Sequence, residues 1–299
     1  MTAGDLLARL GDDRPGVGLR ADNLPDIAWC QVPAGPFVMG SDKQKDPQAR
    51  DDETPQHEVN LPAYQISRYP LTNAQYQAFV DDEGYQNEAY WTEAKAAKYW
   101  QAGQVKRRVY KDGKFHDEWA TAPHDYGPSF NLANHPVVGV NWYEAVAFCH
   151  WLSERLGQRI RLPTEAEWEK AARGTDGRIY PWGGEADPER MNYGDTGIGT
   201  TSAVGCFARG VSPYGCDDMS GNVWEWCATK NGEDYPYNVA EDEWSEAYLS
   251  GTDVRVLRGG AFYDADDRVR AAVRSGYFPH YWYYYNGFRV VVAPIGSES

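Results

Sequence analysis

The sequence has no long apolar run and no excess of basic residues. It carries 29 Lys and Arg against 44 Asp and Glu, which gives a net charge of −15. A chain this acidic is repelled by nucleic-acid phosphates and by anionic membrane surfaces. We therefore expect no nucleic-acid partner, while a basic partner remains open.

The amino terminus and the cysteines both bear on the compartment. The opening residues, MTAGDLLARLGDD, carry acids early and lack the apolar core of a signal peptide or a membrane span, which predicts a cytoplasmic protein without membrane insertion. The five cysteines are odd in number and none has C-x-x-C spacing; they are Cys30, Cys149, Cys206, Cys216 and Cys227. We expect free thiols, with a Cys206–Cys216 disulfide as the open alternative.

Leucine and isoleucine are scarce, whereas the chain holds 12 Trp, 21 Tyr, 30 Gly and 18 Pro. This composition favours a loop-rich fold of short strands pinned by large aromatic side chains over a helical bundle. Residues 1–25 are polar and interrupted by Gly and Pro, and we interpret them as an arm with one short helix at 5–10. Residues 26–297 contain no internal repeat or low-complexity linker, which predicts one α+β domain.

Three segments carry the capping-box pattern that starts a helix. The pairs are Thr72 with Gln75, Asn141 with Glu144, and Thr164 with Glu167. Gly157 and Gly174 end the second and third of these helices. Residues 81–134 lack strong periodicity, and we interpret them as a surface excursion with a further helix at 92–101 and a Lys-Asp-Gly turn. About three main helices between β-rich segments are therefore expected.

Several longer motifs occur in a recognisable order. They are GPFVMGS at 35–41, the stretch PVVGVNWYEAVAFCHWLSERLGQRIRLPTEAEWEKAARG at 136–174, YPWG at 180–183, GNVWEW at 221–226, LRGGAF at 257–262 and GFRVV at 287–291. Together they resemble the formylglycine-generating-enzyme, or sulfatase-modifying-factor, family over nearly the whole chain. The resemblance implies a C-type lectin fold of the type found in that family.

The resemblance also bears on chemistry. Enzymes of that family oxidise a substrate cysteine with two copper-binding cysteines, and copper(I) requires such soft thiolate ligands. Asp264 and Val269 stand at those two places. Other members act beside an iron-binding histidine triad, and the six histidines of this chain include no H-x-x-x-H or H-E-x-x-H pair. We therefore expect a protein without copper that is not an enzyme; the alternative is an oxidase or a degenerate homologue that lost the cysteines.

The segment 257–291 resembles in particular the variable proteins of diversity-generating retroelements. At nearly every position where the family has asparagine, whose template codon is AAY, this chain has a residue that changes at the adenines of that codon can produce, and the spacing of the fixed residues is kept. The resemblance implies a non-enzymatic protein that displays a diversified surface to an unknown protein or other macromolecule. The ligand-binding residues that it predicts are Phe262, Tyr263, Asp264, Asp266, Asp267, Ser275, Gly276, Tyr277, Phe278, His280, Tyr281, Trp282, Tyr283, Tyr284, Tyr285 and Asn286.

The tyrosine content of this segment has two interpretations. Tyrosine offers a large contact area with only two side-chain torsions to fix, so it binds at low entropic cost. Alternatively, the rings cover a loop-rich core as half-buried packing. Because the tyrosines occupy the mutable positions, we favour binding.

The stretch DMSGNVWEW at 218–226 supplies a structural calcium site in the family. When the family motif is matched to this sequence residue by residue, the implied ligands are the side chains of Asp218 and Glu225 and the backbone carbonyls of Gly221 and Val223. Mixed carboxylate and carbonyl oxygens suit Ca²⁺. The alternative is that Glu225 satisfies local donors without any ion.

Overall fold

The computed structural model describes residues 3–232 and 242–292. The described part contains six α-helices, three of them short, and its loop-rich α+β character confirms the expected class. The helices are α1 (Ala3–Leu10), α2 (Asn73–Asp81), α3 (Thr92–Ala96), α4 (Trp142–Leu156), α5 (Glu165–Arg173) and α6 (Glu246–Leu249).

The three predicted capping boxes are all formed. The side chains of Thr72, Asn141 and Thr164 each accept a hydrogen bond from the backbone N–H three residues later, at the starts of α2, α4 and α5. Gly157 ends α4 in the left-handed region at φ 62°, where a residue without Cβ is least strained. Local signals alone therefore place the main helices.

Within residues 3–232 and 242–292, the strands are short and form four sheets. They are β1 (Trp29–Val32), β2 (Gly35–Met39), β3 (His57–Leu61), β4 (Tyr64–Ser67), β5 (Trp100–Gln101), β6 (Gln104–Lys111), β7 (Lys114–Ala120), β8 (Ile160–Arg161), β9 (Trp224–Lys230), β10 (Arg255–Arg258), β11 (Arg274–Tyr277), β12 (Asn286–Gly287) and β13 (Val291–Val292). The two four-stranded sheets have the orders β1-β4-β13-β8 and β11-β10-β9-β12, and the smaller sheets are β2-β3 and β5-β6-β7. Among these thirteen strands, all pairs are antiparallel except β12 with β9.

Aromatic rings form the core around α4. Phe148 and Trp151 of α4 pack against Tyr76 and Phe79 of α2 and against Phe288, with ring centroids 5.3–6.1 Å apart. All five side chains are at most 1% exposed. Each buried ring contributes about 1.5–3 kcal/mol or more to stability, so large rings replace the missing aliphatic side chains.

Buried ion pairs connect α5 to the sheet that contains β9 and β10. Arg258 of β10 contacts Glu165 and Glu169 of α5, and all three side chains are 0% exposed. Arg289 donates to Glu225 of β9, and both are likewise 0% exposed. Charged groups this deeply buried are stable only when paired and hydrogen-bonded. Both members of each pair come from the motifs named above, at 136–174, 221–226, 257–262 and 287–291.

The predicted surface excursion contains a three-stranded sheet that the sequence analysis missed. The predicted helix at 92–101 is wrong at its end: it stops at Ala96, Lys98 turns at φ 64°, and Trp100 begins β5. Asp112 and Gly113 join β6 to β7 with φ values of 52° and 75°, the positive angles that a tight hairpin turn requires.

The predicted arm packs against the body of the protein. Val17 is 1% exposed. The Thr72 hydroxyl donates to the carbonyl of Val17 at 2.8 Å, and the Gln75 amide donates to the carbonyls of Gly16 and Asp26 at 3.0 and 2.6 Å. The side chains that start α2 therefore hold the arm.

The cysteines are free, as predicted, and no Cys206–Cys216 disulfide is formed. Cys206 is exposed and the other four are buried. No helix in the described ranges is long and apolar enough to cross a bilayer.

Candidate functional site

Buried ion pairs fix the C-terminal segment at both ends. Arg274, the first residue of β11, donates to the two carboxylate oxygens of Glu165 at 2.6 and 2.7 Å. Arg289 donates to the two oxygens of Glu225 at 2.6 and 2.8 Å. Bidentate ion pairs of this kind fix the orientation of the arginine side chain as well as its distance from the carboxylate. The residues between them, 275–288, therefore start and end at rigid points.

Six tyrosine rings from this segment and the preceding loop form one continuous surface. Tyr283 and Tyr285 stack with centroids 5.0 Å apart and planes 3° apart. The hydroxyl groups of Tyr277 and Tyr285 lie 3.1 Å apart, and Tyr263 meets Tyr285 edge-on at 5.0 Å. We call this set the tyrosine surface; its members are Tyr263, Tyr277, Tyr281, Tyr283, Tyr284 and Tyr285.

Most of the predicted ligand-binding residues reach solvent. Tyr263, Phe278 and Tyr284 are 43%, 45% and 39% exposed. Eight more are half-buried: Asp266, Asp267, Ser275, Gly276, Tyr277, Tyr281, Tyr283 and Tyr285. The structure thus leaves these residues accessible to solvent, and their role in binding stays a prediction.

The other predicted ligand-binding residues are buried and hold the segment in place. His280 stacks on Tyr99 with centroids 4.5 Å apart, and Trp282 packs on His124 at 4.2 Å. Inward-facing rings alternate here with the outward-facing tyrosines. The buried residues are Phe262, Asp264, His280, Trp282 and Asn286, each at most 6% exposed.

The residues at the two family cysteine positions do not fit a copper site. Asp264 accepts hydrogen bonds from the Trp224 indole at 2.8 Å, the Ala261 N–H at 2.9 Å and Arg268 at 3.2 Å. Burial raises the pKa of the Asp264 carboxyl. Val269 is 0% exposed within an apolar cluster. Neither position offers a thiolate, and Asp264 instead fixes the loop.

The hairpin β6–β7 forms a wall beside the tyrosine surface. The Arg108 N–H donates to the carbonyl of His280 at 3.1 Å, and Phe115 stacks on Tyr281 at 5.8 Å. Phe115 and Trp119 are 55% and 37% exposed. The wall therefore extends the aromatic surface beyond the segment that the sequence indicated.

One buried pair anchors this wall to α4. Arg107 of β6 donates through Nε to Glu144 at 3.0 Å, and its Nη2 contacts the same carboxylate. Glu144 also accepts from the Asn141 N–H at 2.9 Å as part of the capping box. The Lys-Asp-Gly turn between alternating residues was the signal that could have predicted this hairpin.

The hydroxyls of the tyrosine surface are uncharged near neutral pH, as tyrosine ordinarily is. Burial raises the pKa of the Tyr263, Tyr283 and Tyr285 hydroxyls further above that range. Burial also lowers the pKa of His280 to about 4, which makes the imidazole neutral. The surface therefore presents uncharged donors and apolar rings.

The predicted calcium ligands do not fit a cation as the structure places them. Both oxygens of Glu225 are taken by Arg289, and one also accepts from the Trp168 indole at 2.7 Å. Asp218 accepts from the Gly205 N–H at 2.7 Å, while Gly221 and Val223 lie in the same turn. In the described ranges, no three His, Cys, Asp or Glu side chains cluster as a metal site. Calcium binding stays a prediction, which a rise in Tm on adding calcium chloride would confirm.

The fold and the order of the motifs agree with a family model. Residues 21–294 match the sulfatase-modifying factor enzyme 1-like domain. The chain belongs to this family. The predicted family resemblance is confirmed.

Relatives in this family carry different names. Hercynine oxygenase of Mycolicibacterium thermoresistibile is 33% identical over 262 residues, which cover 84% of this chain and 56% of the relative. Formylglycine-generating enzyme of Thermomonospora curvata is 33% identical over 297 residues, covering 88% and 93%. Inactive C-alpha-formylglycine-generating enzyme 2 of Mus musculus is 32% identical over 288 residues, covering 87% of this chain and 84% of the relative. The chain thus spans just over half the length of that hercynine oxygenase.

A solved structure confirms the fold. Variable protein 1 of Treponema denticola superposes with a TM-score of 0.62 at 22% identity, covering 90% of this chain and 95% of the other. At this identity the likeness shows the shared C-type lectin fold of the family and nothing about activity.

The expectation that the protein is not an enzyme is wrong. It rested on the missing cysteine pair, but relatives that match most of the chain at 33% identity are named as enzymes. The absence of thiolates at positions 264 and 269 removes one chemistry and does not remove catalysis.

Proposed function

We propose that the chain is an oxidative enzyme domain that holds a polypeptide substrate on the tyrosine surface and uses no thiolate pair at positions 264 and 269. The observation that carries this proposal is the location of the surface. Tyr263 directly precedes Asp264, so the rings adjoin the position where the family resemblance places the first reactive cysteine. The proposed substrate surface therefore lies beside the loop in which the family resemblance places the reactive cysteines.

The openness of the surface supports a polypeptide as substrate. Phe115, Trp119, Phe278 and Tyr284 are all more than a third exposed. Exposed aromatic patches of this kind mark interaction with macromolecules. A small molecule would leave most of these rings in water.

The tyrosines bind and orient the substrate. Tyr263, Tyr283 and Tyr285 are protonated near neutral pH, as tyrosine ordinarily is, and burial raises their pKa further. They therefore serve as hydrogen-bond donors and apolar walls, and they do not act as bases. The 3.1 Å contact between Tyr277 and Tyr285 keeps two of the hydroxyls in a fixed relation.

Oxygen uptake by the purified protein tests the proposal. The substrates are a peptide with the C-x-P-x-R pattern and, separately, hercynine, each with copper(I) or iron(II) supplied. We expect uptake with the peptide, together with a change in its mass. Uptake with hercynine alone would contradict the polypeptide assignment, and no uptake with either substrate would contradict the enzyme.

Variants of the surface give a sharper test. Tyr277→Phe removes one hydroxyl and keeps the ring, so we expect kcat/KM to fall about two- to tenfold. Tyr214→Phe, in a separate cluster, is the matched control and is expected to leave kcat/KM unchanged. Equal kinetics for the two variants would contradict the role of the tyrosine surface.

A further inference from the structure

A groove of about 680 Å³ lies at the far end of α4 from the tyrosine surface. Trp142, at the start of α4, donates its backbone N–H to Pro279 at 3.1 Å. Trp151 and Arg155 line the groove. They follow Trp142 by nine and thirteen residues, which is about 14 and 20 Å along the helix axis. The groove is therefore separate from the proposed substrate surface.

The floor of the groove is apolar. Leu19 and Leu24 of the arm line it together with Ala78 of α2 and Trp151 of α4. Leu19 is 43% exposed and Leu24 is half-buried, so both can contact a ligand, whereas Trp151 at 0% lies beneath the surface and supports the groove from below. The volume lies within the range of about 300–1,000 Å³ that is typical of small-molecule sites. The groove thus suits a ligand with a small apolar body.

Two of the acids on the rim are already neutralised. Asp82 accepts from Arg155 at 2.7 Å and from the Trp151 indole at 2.7 Å. Asp22 forms an ion pair with Arg20 at 2.6 Å. An arginine balances the carboxylate charge in both cases, so neither Asp82 nor Asp22 offers a free negative charge to a ligand.

Asp81, the last residue of α2, differs from them. Its carboxylate accepts from the Gln77 amide at 2.8 Å and takes part in no ion pair among residues 3–232 and 242–292. It is exposed, at the edge of the apolar floor. The groove therefore combines an apolar body site with one uncompensated negative charge.

We propose that this groove binds a small primary amine, with the ammonium group at Asp81 and the apolar body on Leu19 and Leu24. An acid would be repelled by Asp81, and a neutral analogue would lose the charge contact. The site is independent of the proposed enzymatic activity.

Calorimetric titration with three matched probes tests the proposal: 2-phenylethylamine, 2-phenylethanol and 3-phenylpropanoate. We expect saturable binding of the amine, binding of the alcohol about fivefold weaker, and no binding of the acid. Added salt should weaken amine binding and leave alcohol binding unchanged.

Single-residue variants locate the site. Asp81→Asn keeps the shape and removes the charge, so amine binding should weaken about fivefold while alcohol binding is unchanged. Glu185→Gln removes one exposed charge elsewhere and should change neither. Equal binding of amine and alcohol, no amine binding, or no effect of Asp81→Asn would overturn the proposal. So would loss of amine binding in Tyr284→Ala, which would place the amine on the tyrosine surface.

Discussion

The carboxylate of Glu225 is surrounded by donors that belong to the protein. Arg289 and the Trp168 indole occupy its oxygens, and Glu225 and Arg289 are 0% exposed. The sequence could show a carboxylate within a motif, but it could not show that an arginine 64 residues later reaches it. Capping pairs such as Asn141 with Glu144 were predictable because both partners lie within one helical turn.

Glu225→Gln leaves the Arg289 guanidinium buried without its anion. Breaking a buried ion pair in this way costs about 3–5 kcal/mol, and we expect a loss of that size in the free energy of unfolding measured with urea. The control is Glu189→Gln, which breaks an exposed pair with Arg209 and should cost less than about 1 kcal/mol. Similar losses in the two variants would contradict the structural role of Glu225.

His280 makes stability depend on pH. Burial, together with Arg108 and Lys106, lowers its pKa from 6.5 to about 4, against the opposing effect of Asp117. The folded pKa lies below the unfolded value, so the unfolded chain binds more protons between pH 6.5 and 4. The stability that comes from the neutral imidazole is therefore complete above pH 6.5 and is lost as the pH falls towards 4.

This contribution can be isolated by mutation. We expect wild type to lose up to about 1.4 kcal/mol per pH unit in this window from His280 alone, and His280→Phe to lack that part of the slope. Urea unfolding at several pH values from 7.5 to 4 measures it, with His116→Gln as a control. Equal slopes in wild type and His280→Phe would rule out this role.

At the scale of elements, the hairpin β6–β7 is the main feature that the sequence did not predict. Its strands pair with each other and then contact the segment around His280, more than 160 residues away in sequence. Propensity and periodicity describe neighbours in sequence, and they do not reveal which distant strand a hairpin meets. Helices α2, α4 and α5 were predictable for the converse reason, since their start signals are local.

The hairpin is expected to contribute to substrate binding. Phe115→Ser and Trp119→Ser remove exposed rings from the wall, so the Kd or KM for the peptide should rise several-fold. Surface substitutions of this kind change stability by about 0.5 kcal/mol or less, so Tm should be almost unchanged. Leu6→Ser, on the exposed side of α1, serves as a control. Unchanged KM in both hairpin variants would show that the wall does not contact substrate.

At the scale of the whole molecule, the motifs predicted the scaffold and not the chemistry. Arg258, Glu165 and Arg289 come from the recognisable motifs, and all are buried in ion pairs. Their pattern therefore identifies the family and its fold. Positions 264 and 269 take part in none of these pairs, so the scaffold does not depend on cysteines there, and the two missing cysteines were a poor guide to enzymatic activity.

The arm is expected to be part of the folded unit. Deleting residues 1–25 removes Val17 from the core and leaves the Thr72 hydroxyl without the carbonyl it contacts. We expect the free energy of unfolding to fall by about 2–4 kcal/mol. Deleting only residues 1–10 keeps these contacts and should cost much less. Equal stability of the two truncated proteins, measured by urea unfolding, would show that the arm is dispensable.

The paired arginines at the two ends of 275–288 have a consequence for how this protein can change. Between these two ion pairs, the side chains that pack into the interior are chiefly His280, Trp282, Asn286 and Phe288. Selection, or a laboratory library, can therefore change the outward-facing residues while the backbone of residues 275–288 keeps its position. New specificities should therefore arise here more readily than new folds.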